Sequence, residues 1–115
     1  MTKVEIFKDN MGNIIRYRVS GHTDFAEEGK DIVCSAISIL AQTTLVALVE
    51  VIGILESELD FNIDEKKGIL DVKLPKSIEE ITKKETQILL KTFELGIKKI
   101  IESYSEYVTL KYREV

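Results

Sequence analysis

The sequence predicts a single α+β domain over residues 1–115, in which a mostly antiparallel sheet packs against two long helices. Five short segments alternate apolar and polar residues, which is the period of a β-strand. Two longer segments repeat apolar residues every three to four positions, which is the period of an α-helix. The segments follow one another in the order ββαββαβ. Half-polar strands of this kind favour an antiparallel or mixed sheet with helices on one or both faces.

The first two strands are predicted at residues 3–8 and 14–19, where apolar and charged side chains alternate. Between them, residues 9–13 supply Asn and Gly, which tolerate the positive φ angles of tight turns. The short connection therefore predicts an antiparallel hairpin.

A second hairpin and a final strand show the same alternation. The hairpin strands are predicted at residues 59–64 and 70–74, with a charged turn that ends at Gly68 and with Pro75 stopping the second strand. Residues 107–113 alternate once more and form the fifth predicted strand.

The first helix is predicted at about residues 32–55, because its apolar residues keep a helical spacing throughout. Residues 32–49 carry no charge and just reach the length of a membrane span. Ser, Thr and Gln side chains interrupt this stretch, whereas a spanning helix is more uniformly apolar. We therefore expect a core helix that is buried on more than one side, and no association with a membrane.

The second helix is predicted to begin at Ser77 or Thr82 and to end at about residue 103. Each of these two residues is followed three positions later by Glu, which is the pattern of a capping box. The apolar residues of this segment form one stripe along the predicted helix.

The composition excludes several classes of protein. A single Cys cannot form an intrachain disulfide, and one Cys with one His cannot complete a structural zinc site within one chain. With 16 basic against 20 acidic residues, the net charge of −4 argues against direct binding of nucleic acid. The first ten residues include charges and no continuous apolar stretch, so we expect no secretory signal and a cytoplasmic protein.

The segment 20–31 fits no regular element and contains the only His of the chain. Loops between a strand and a helix commonly carry functional residues. With Asp31 as the N-cap, Cys34 is the third residue of the helix. Its thiol is then close to free backbone N–H groups and to the positive end of the helix dipole, both of which favour the thiolate.

Cys34 and His22 are therefore candidates for a nucleophile and its base. The loop between them is long enough to fold back and bring the imidazole to the sulfur. The free N–H groups at the start of the helix are available to hold an oxyanion. Ser38, one turn after Cys34, is placed to hydrogen-bond the thiolate or the substrate backbone. Asp24 and Asp31 are candidates to orient His22.

Each of these residues also has a purely structural explanation. A lone Cys in an apolar helix is more often an inert packing residue. Gly21 then supplies backbone freedom to a loop, Asp31 caps the helix, and Ser38 returns its hydroxyl to the helix backbone. From the residues alone, the dyad is the less favoured of the two explanations.

Two strings of the sequence resemble the signature of the ribosomal-processing cysteine protease family, Prp. They are Gly-His-Thr at residues 21–23 and Gly-Lys-Asp-Ile-Val-Cys-Ser-Ala-Ile-Ser at residues 29–38. The resemblance extends over the whole chain, and two such strings at this separation are far more specific than a lone glycine-rich loop.

The resemblance implies a bacterial endopeptidase that removes a short N-terminal extension from the twenty-seventh protein of the large ribosomal subunit during ribosome assembly. It implies a catalytic dyad of His22 and Cys34, with Gly21, Asp31 and Ser38 as supporting or substrate-binding residues and with no cofactor or metal. It also implies a homodimer and a substrate with an aromatic residue just before the cut.

The chain departs from the family pattern as we expect it at Thr23 and Ser35, where Ala is expected. Neither residue carries chemistry, so the departure concerns loop packing. An acidic loop of Asp24, Glu27 and Glu28 would attract a basic ribosomal polypeptide, an effect that salt should weaken.

Two alternatives to a protease remain open at this point. One is a noncatalytic ribosome-associated binding module in which Cys34 only packs. The other is a thiol redox sensor, in which an exposed Cys34 reacts without cleaving a peptide.

Overall fold

The computed structural model describes residues 2–21 and 30–115, the side chains of residues 30 and 31 excepted. Within these ranges the chain follows the predicted order ββαββαβ. A single 3₁₀ turn, Glu56–Glu58, precedes the third strand. The elements are β1 Thr2–Lys8, β2 Ile14–Ser20, α1 Lys30–Glu50, β3 Asp60–Asp64, β4 Ile69–Lys73, α2 Glu80–Tyr104 and β5 Val108–Glu114.

The five strands form one mixed sheet in the order β3-β4-β2-β1-β5. All neighbouring strands are antiparallel except β1 and β5, which run parallel. The predicted α+β class and both predicted hairpins are therefore confirmed. In the turn of the first hairpin, Asp9 accepts hydrogen bonds from the backbone N–H groups of Met11 and Asn13, and Gly12 adopts a φ of +81°.

Both helices pack on the same face of the sheet, where Tyr17 of β2 contacts each of them. Its hydroxyl donates a 2.9 Å hydrogen bond to the carbonyl of Ala41 on α1, and its ring lies 4.5 Å from that of Phe93 on α2. Burial raises the pKa of Tyr17, so the hydroxyl stays protonated and remains a donor. The core between the layers includes Val4, Ile6, Tyr17, Ile37, Leu48, Val72, Leu90, Phe93 and Ile97.

The opposite face of the sheet is polar. Arg16 makes a bidentate ion pair with Asp71 on the neighbouring strand β4, with N–O distances of 2.8 and 2.5 Å. On the other side, Arg113 of β5 donates to Glu5 of β1 at 3.0 Å. The sequence allowed helices on one face or on both faces of the sheet. In the described residues, both helices lie on the same face.

The predicted end of α1 at residue 55 is wrong, since the helix ends at Glu50. Gly53 adopts a φ of +93°, and the N–H of Ile54 bonds to the carbonyl of Leu48, six residues earlier. This hydrogen bond closes a turn around the left-handed Gly53, a conformation that commonly follows the end of a helix. Past the end of the helix, Ile54 turns back into the core, where it is 6% exposed, whereas Leu55 is 62% exposed.

The start of α2 also differs from the prediction. Glu79 is the N-cap and makes no side-chain capping bond, so neither Ser77 nor Thr82 occupies the capping position. Both candidate capping boxes lie within three residues of the observed start, but their side chains do not cap it.

Helix α1 buries only one face in this chain, so the prediction that it is buried on more than one side is wrong here. Among the described helices, its segment Ile32–Glu50 is long and apolar enough to cross a membrane, and a third of that stretch is buried. The buried side is formed by Val33, Ile37, Ala41, Leu45 and Leu48. The outward side exposes Ile32, Ile39 and Val46.

Candidate active site

Cys34 lies in α1, where its side chain is half-buried and not part of a disulfide. The described part of the helix begins at Lys30, one residue before the predicted cap, so Asp31 lies within the helix and Cys34 is the fifth of its described residues. The N–H groups without a helical partner are those at the very start of a helix. They therefore belong to the turn that precedes Cys34, and the prediction that Cys34 is the third helical residue is corrected.

The hydroxyl of Thr2, the first residue of β1, lies 3.3 Å from the sulfur of Cys34. Thr2 is 3% exposed, so this contact is shielded from water on the side of the sheet. Sequence reasoning missed Thr2. No local pattern indicates it, because the two residues are 32 positions apart and only the packing of β1 beneath α1 brings them together.

Ser38 lies one turn beyond Cys34, as predicted, and borders the same cleft. Its hydroxyl oxygen accepts a 2.8 Å hydrogen bond from the side-chain amide of Gln42, one further turn along the helix. Because the Ser38 oxygen accepts this bond, the hydroxyl proton of Ser38 remains available to donate to a second partner. Gln42 is a further cleft residue that sequence reasoning missed.

A cleft of about 680 Å³ opens between α1 and the β3–β4 hairpin. This volume is in the range of ligand-binding clefts in proteins. Thr2, Val19 and Leu70 form its floor from the sheet. The helix wall includes Cys34, Ser35, Ser38, Ile39 and Gln42, and the hairpin wall includes Ile63, Asp64, Glu65, Gly68 and Ile69.

Gly21 lies at the end of β2 and also lines this cleft. Its φ of +110° is in the left-handed region, which glycine adopts without the strain that a side chain would introduce. The structure thus brings Gly21, Cys34 and Ser38 to one cleft. The predicted base His22, which follows Gly21 in the chain, lies outside the described residues, as do Asp24, Glu27, Glu28 and the side chain of Asp31.

The described residues 2–21 and 30–115 contain no group of three side chains that could hold a metal ion. Besides Cys34, the cleft is lined by hydroxyl, amide and apolar side chains and, on the hairpin wall, by Asp64 and Glu65.

A sequence model of the family described as Cysteine protease Prp matches residues 1–109. The chain belongs to this family. The Prp match covers both strings that carry the resemblance in the sequence, so the recognition made from those residues is confirmed.

Curated and structural relatives within the Prp family agree with this match. The Staphylococcus aureus protein named ribosomal processing cysteine protease Prp is 28% identical over 113 residues, which cover 98% of this chain and 100% of the relative. The crystal structure of S. aureus Prp with a substrate peptide has a TM-score of 0.81 at 26% identity, over 98% of this chain and 100% of that chain. The structure of the same protease with a covalently linked product peptide has a TM-score of 0.78, with the same identity and coverage.

Membership of the Prp family makes the chain a cysteine protease, as the sequence predicted. A cysteine protease needs a thiol that can reach a peptide. Cys34 is the single cysteine of the sequence, and it lines a cleft of suitable size.

Proposed function

We propose that this protease removes the N-terminal extension of a large-subunit ribosomal protein, the twenty-seventh, with Cys34 as nucleophile and His22 as base. The observation that carries the proposal is the position of the only cysteine of a cysteine protease in the wall of the cleft. The names of the Prp relatives support ribosomal processing as the setting of the reaction.

The proposed reaction is acyl transfer to sulfur. His22 accepts the thiol proton, and the Cys34 sulfur attacks the carbonyl carbon of the scissile bond to give a tetrahedral oxyanion. N–H groups of the first turn of α1, which precede Cys34, stabilise the negative oxygen. The imidazolium then protonates the leaving amine as the C–N bond breaks. Water, deprotonated by His22, attacks the thioester and releases the new carboxylate and the thiol.

The cleft walls support a peptide substrate with apolar and basic residues. Ile39 and Ile63 are exposed apolar side chains on opposite walls, and they offer contact area to an aromatic side chain. Asp64 and Glu65 add negative charge at the hairpin, which favours a Lys- or Arg-rich ribosomal segment. The S. aureus protease binds its substrate peptide on a fold of the same topology.

Incubation with a synthetic peptide tests this proposal directly. The peptide spans the N-terminal extension of the ribosomal protein and the residues that follow it, and mass spectrometry identifies the products. We expect one cut, giving two product masses. The matched control is the same peptide with the aromatic residue before the cut replaced by aspartate, which should be cleaved far more slowly.

The main alternative, a noncatalytic ribosome-associated module, predicts a different result in the same experiment. The peptide would bind but keep its full mass after prolonged incubation. A redox sensor would react with peroxide at Cys34 and leave the peptide intact as well. Either of these outcomes rejects the protease function for this peptide.

We also propose that the chain forms a homodimer through the outer face of its two helices. Each helix exposes apolar residues seven positions apart on the side that faces away from the sheet. They are Ile32 and Val46 on α1, with Ile39 between them at the border of the cleft, and Ile81, Ile88 and Leu95 on α2. Seven-residue spacing is typical of surfaces that pack against other helices, and a second copy related by a two-fold axis would present the same stripes.

Sedimentation equilibrium at micromolar concentration tests the dimer. We expect twice the 13.1 kDa chain mass for the wild type and a monomer for the double variant Val46→Lys/Ile88→Lys, because two charges per chain would be buried without partners. Met11→Lys is the control, since Met11 is 80% exposed on the β1–β2 turn, away from both helices. A wild-type monomer, or a double variant that still dimerises, contradicts the proposed interface.

A further inference from the structure

We propose that Thr2 is a positioning residue for the nucleophile, because its hydroxyl donates a hydrogen bond to the Cys34 thiolate. The inference rests on the proposed function, in which Cys34 is the attacking group. It adds a third side chain to the Cys and His pair that the sequence predicted, and this one comes from the sheet rather than from the loop or the helix.

The contact has a defined direction once the sulfur is ionised. The oxygen of Thr2 and the sulfur of Cys34 are 3.3 Å apart, and in the neutral pair either atom can be the donor. A thiolate has no proton, so the hydroxyl of Thr2 must donate and the sulfur must accept. Hydrogen bonds to a charged acceptor are stronger than those between neutral groups. The contact therefore stabilises the reactive form of Cys34 more than its resting form.

The backbone of Thr2 is held in the sheet by its pairing with β5. Its N–H donates a 2.9 Å hydrogen bond to the carbonyl of Tyr107, and β1 pairs here with β5, placing Thr2 opposite Val108. On its other edge β1 pairs with β2, where Lys3 is opposite Ser20. The hydroxyl is thus presented from a residue whose backbone is already ordered in the sheet, which costs little further ordering when the thiolate forms.

The backbone of Cys34 is held in place by the buried neighbours of Cys34 on α1. Its neighbours Val33 and Ile37 are 1% and 0% exposed and fix α1 to the sheet above β1. Thr2 is β-branched, so its χ1 angle is restricted and the hydroxyl oxygen has few alternative positions. With both backbones fixed, the hydrogen bond selects the side-chain rotamer of Cys34 and holds its sulfur at the cleft wall.

The test compares Thr2→Val, which keeps the branched shape and removes the hydroxyl, with Thr2→Ser, which keeps the hydroxyl. Iodoacetamide alkylation of Cys34 is followed against pH, together with kcat and KM for the ribosomal peptide. For Thr2→Val we expect the midpoint of the alkylation profile at higher pH, kcat lower by about tenfold, and KM within about twofold of the wild type. Thr2→Ser should restore most of the wild-type alkylation midpoint and most of the wild-type kcat.

Controls separate this role from a purely structural one. Mass spectrometry of the intact proteins confirms that the wild type, Thr2→Val and Thr2→Ser begin at the same residue. In 8 M urea their alkylation profiles should coincide, because the contact exists only in the fold. An alkylation profile of Thr2→Val that matches the wild type, or a Thr2→Ser protein as impaired as Thr2→Val, overturns the inference.

Failure of the proposed function has a separate signature. If Cys34→Ala still cleaves the peptide, Cys34 is not the nucleophile and the proposed mechanism falls. The alkylation profiles of Thr2→Val and Thr2→Ser do not depend on cleavage, so they still report whether the hydroxyl stabilises the thiolate.

Discussion

Replacement of Cys34 by alanine is expected to abolish peptide cleavage, with kcat lower by at least about 10⁴-fold. Covalent catalysis by a thiol has no substitute in this chain, because Cys34 is its only cysteine. The hydroxyl of Ser38 is one turn away along the helix and receives a hydrogen bond from Gln42, so it does not occupy the position of the sulfur. The measurement is product formation by mass spectrometry at enzyme concentrations high enough to detect this loss.

The same variant should still bind the peptide. Alanine removes one sulfur atom and leaves both cleft walls in place, including Ile39, Ile63 and Asp64. We expect a dissociation constant within about twofold of that of a wild-type protein whose thiol is blocked by a small reagent. Cys34→Ser provides a second inactive form with a side chain closer in size. Cleavage by either variant within tenfold of the wild-type rate would contradict the nucleophile assignment.

The strands and hairpins could be predicted because their signals are local. A period of two residues identifies each strand, and the Asn and Gly residues around Gly12 identify the first turn. Strand order carries no such local signal. The parallel pairing of β1 with β5 joins residues more than 100 positions apart, for example Thr2 with Val108. Only the whole fold determines that neighbour.

At the end of α1 and at the start of α2, the structure departs from the local sequence signals. The apolar spacing of α1 continues to residue 55, yet Gly53 ends the helix by adopting a left-handed conformation. A glycine just after a run of helical periodicity is a stop signal, and in this chain it outweighs the apolar spacing. At the start of α2, two capping boxes compete and Glu79 occupies the cap instead.

The residues that α1 contributes to the candidate site could be predicted from the sequence, whereas those that the sheet contributes could not. Cys34 and Ser38 share a helix face by spacing alone, and Gly21 could be inferred from its place at a strand end. Thr2 and the β3–β4 hairpin reach the site through tertiary packing, so no spacing along the chain indicates them. The helix and sheet residues of the site are held together by the packing of the two helices on the sheet. The stability of this packing therefore determines whether the site stays assembled.

Phe93→Ala is expected to lower the free energy of unfolding by about 3–5 kcal/mol, the largest stability loss that we predict for a single residue. Phe93 is 1% exposed, and its ring lies 4.5 Å from that of Tyr17 between α2 and the sheet. Alanine leaves a cavity there that neither helix can close without moving the other. The measurement is urea denaturation followed by circular dichroism, with the wild-type m-value as a check on two-state behaviour.

Tyr17→Phe is the comparison that separates ring packing from hydrogen bonding at this contact. It keeps the ring against Phe93 but removes the donor to the carbonyl of Ala41, so we expect a loss of only about 1–2 kcal/mol. Equal losses for the two variants would mean that the hydroxyl bond to α1 contributes as much to stability as the Phe93 ring does. Since α1 carries Cys34, alkylation of Cys34 in each variant should stay at the wild-type rate below its unfolding transition. Faster alkylation at temperatures where the protein is still folded would show that the aromatic pair also fixes the position of the thiol.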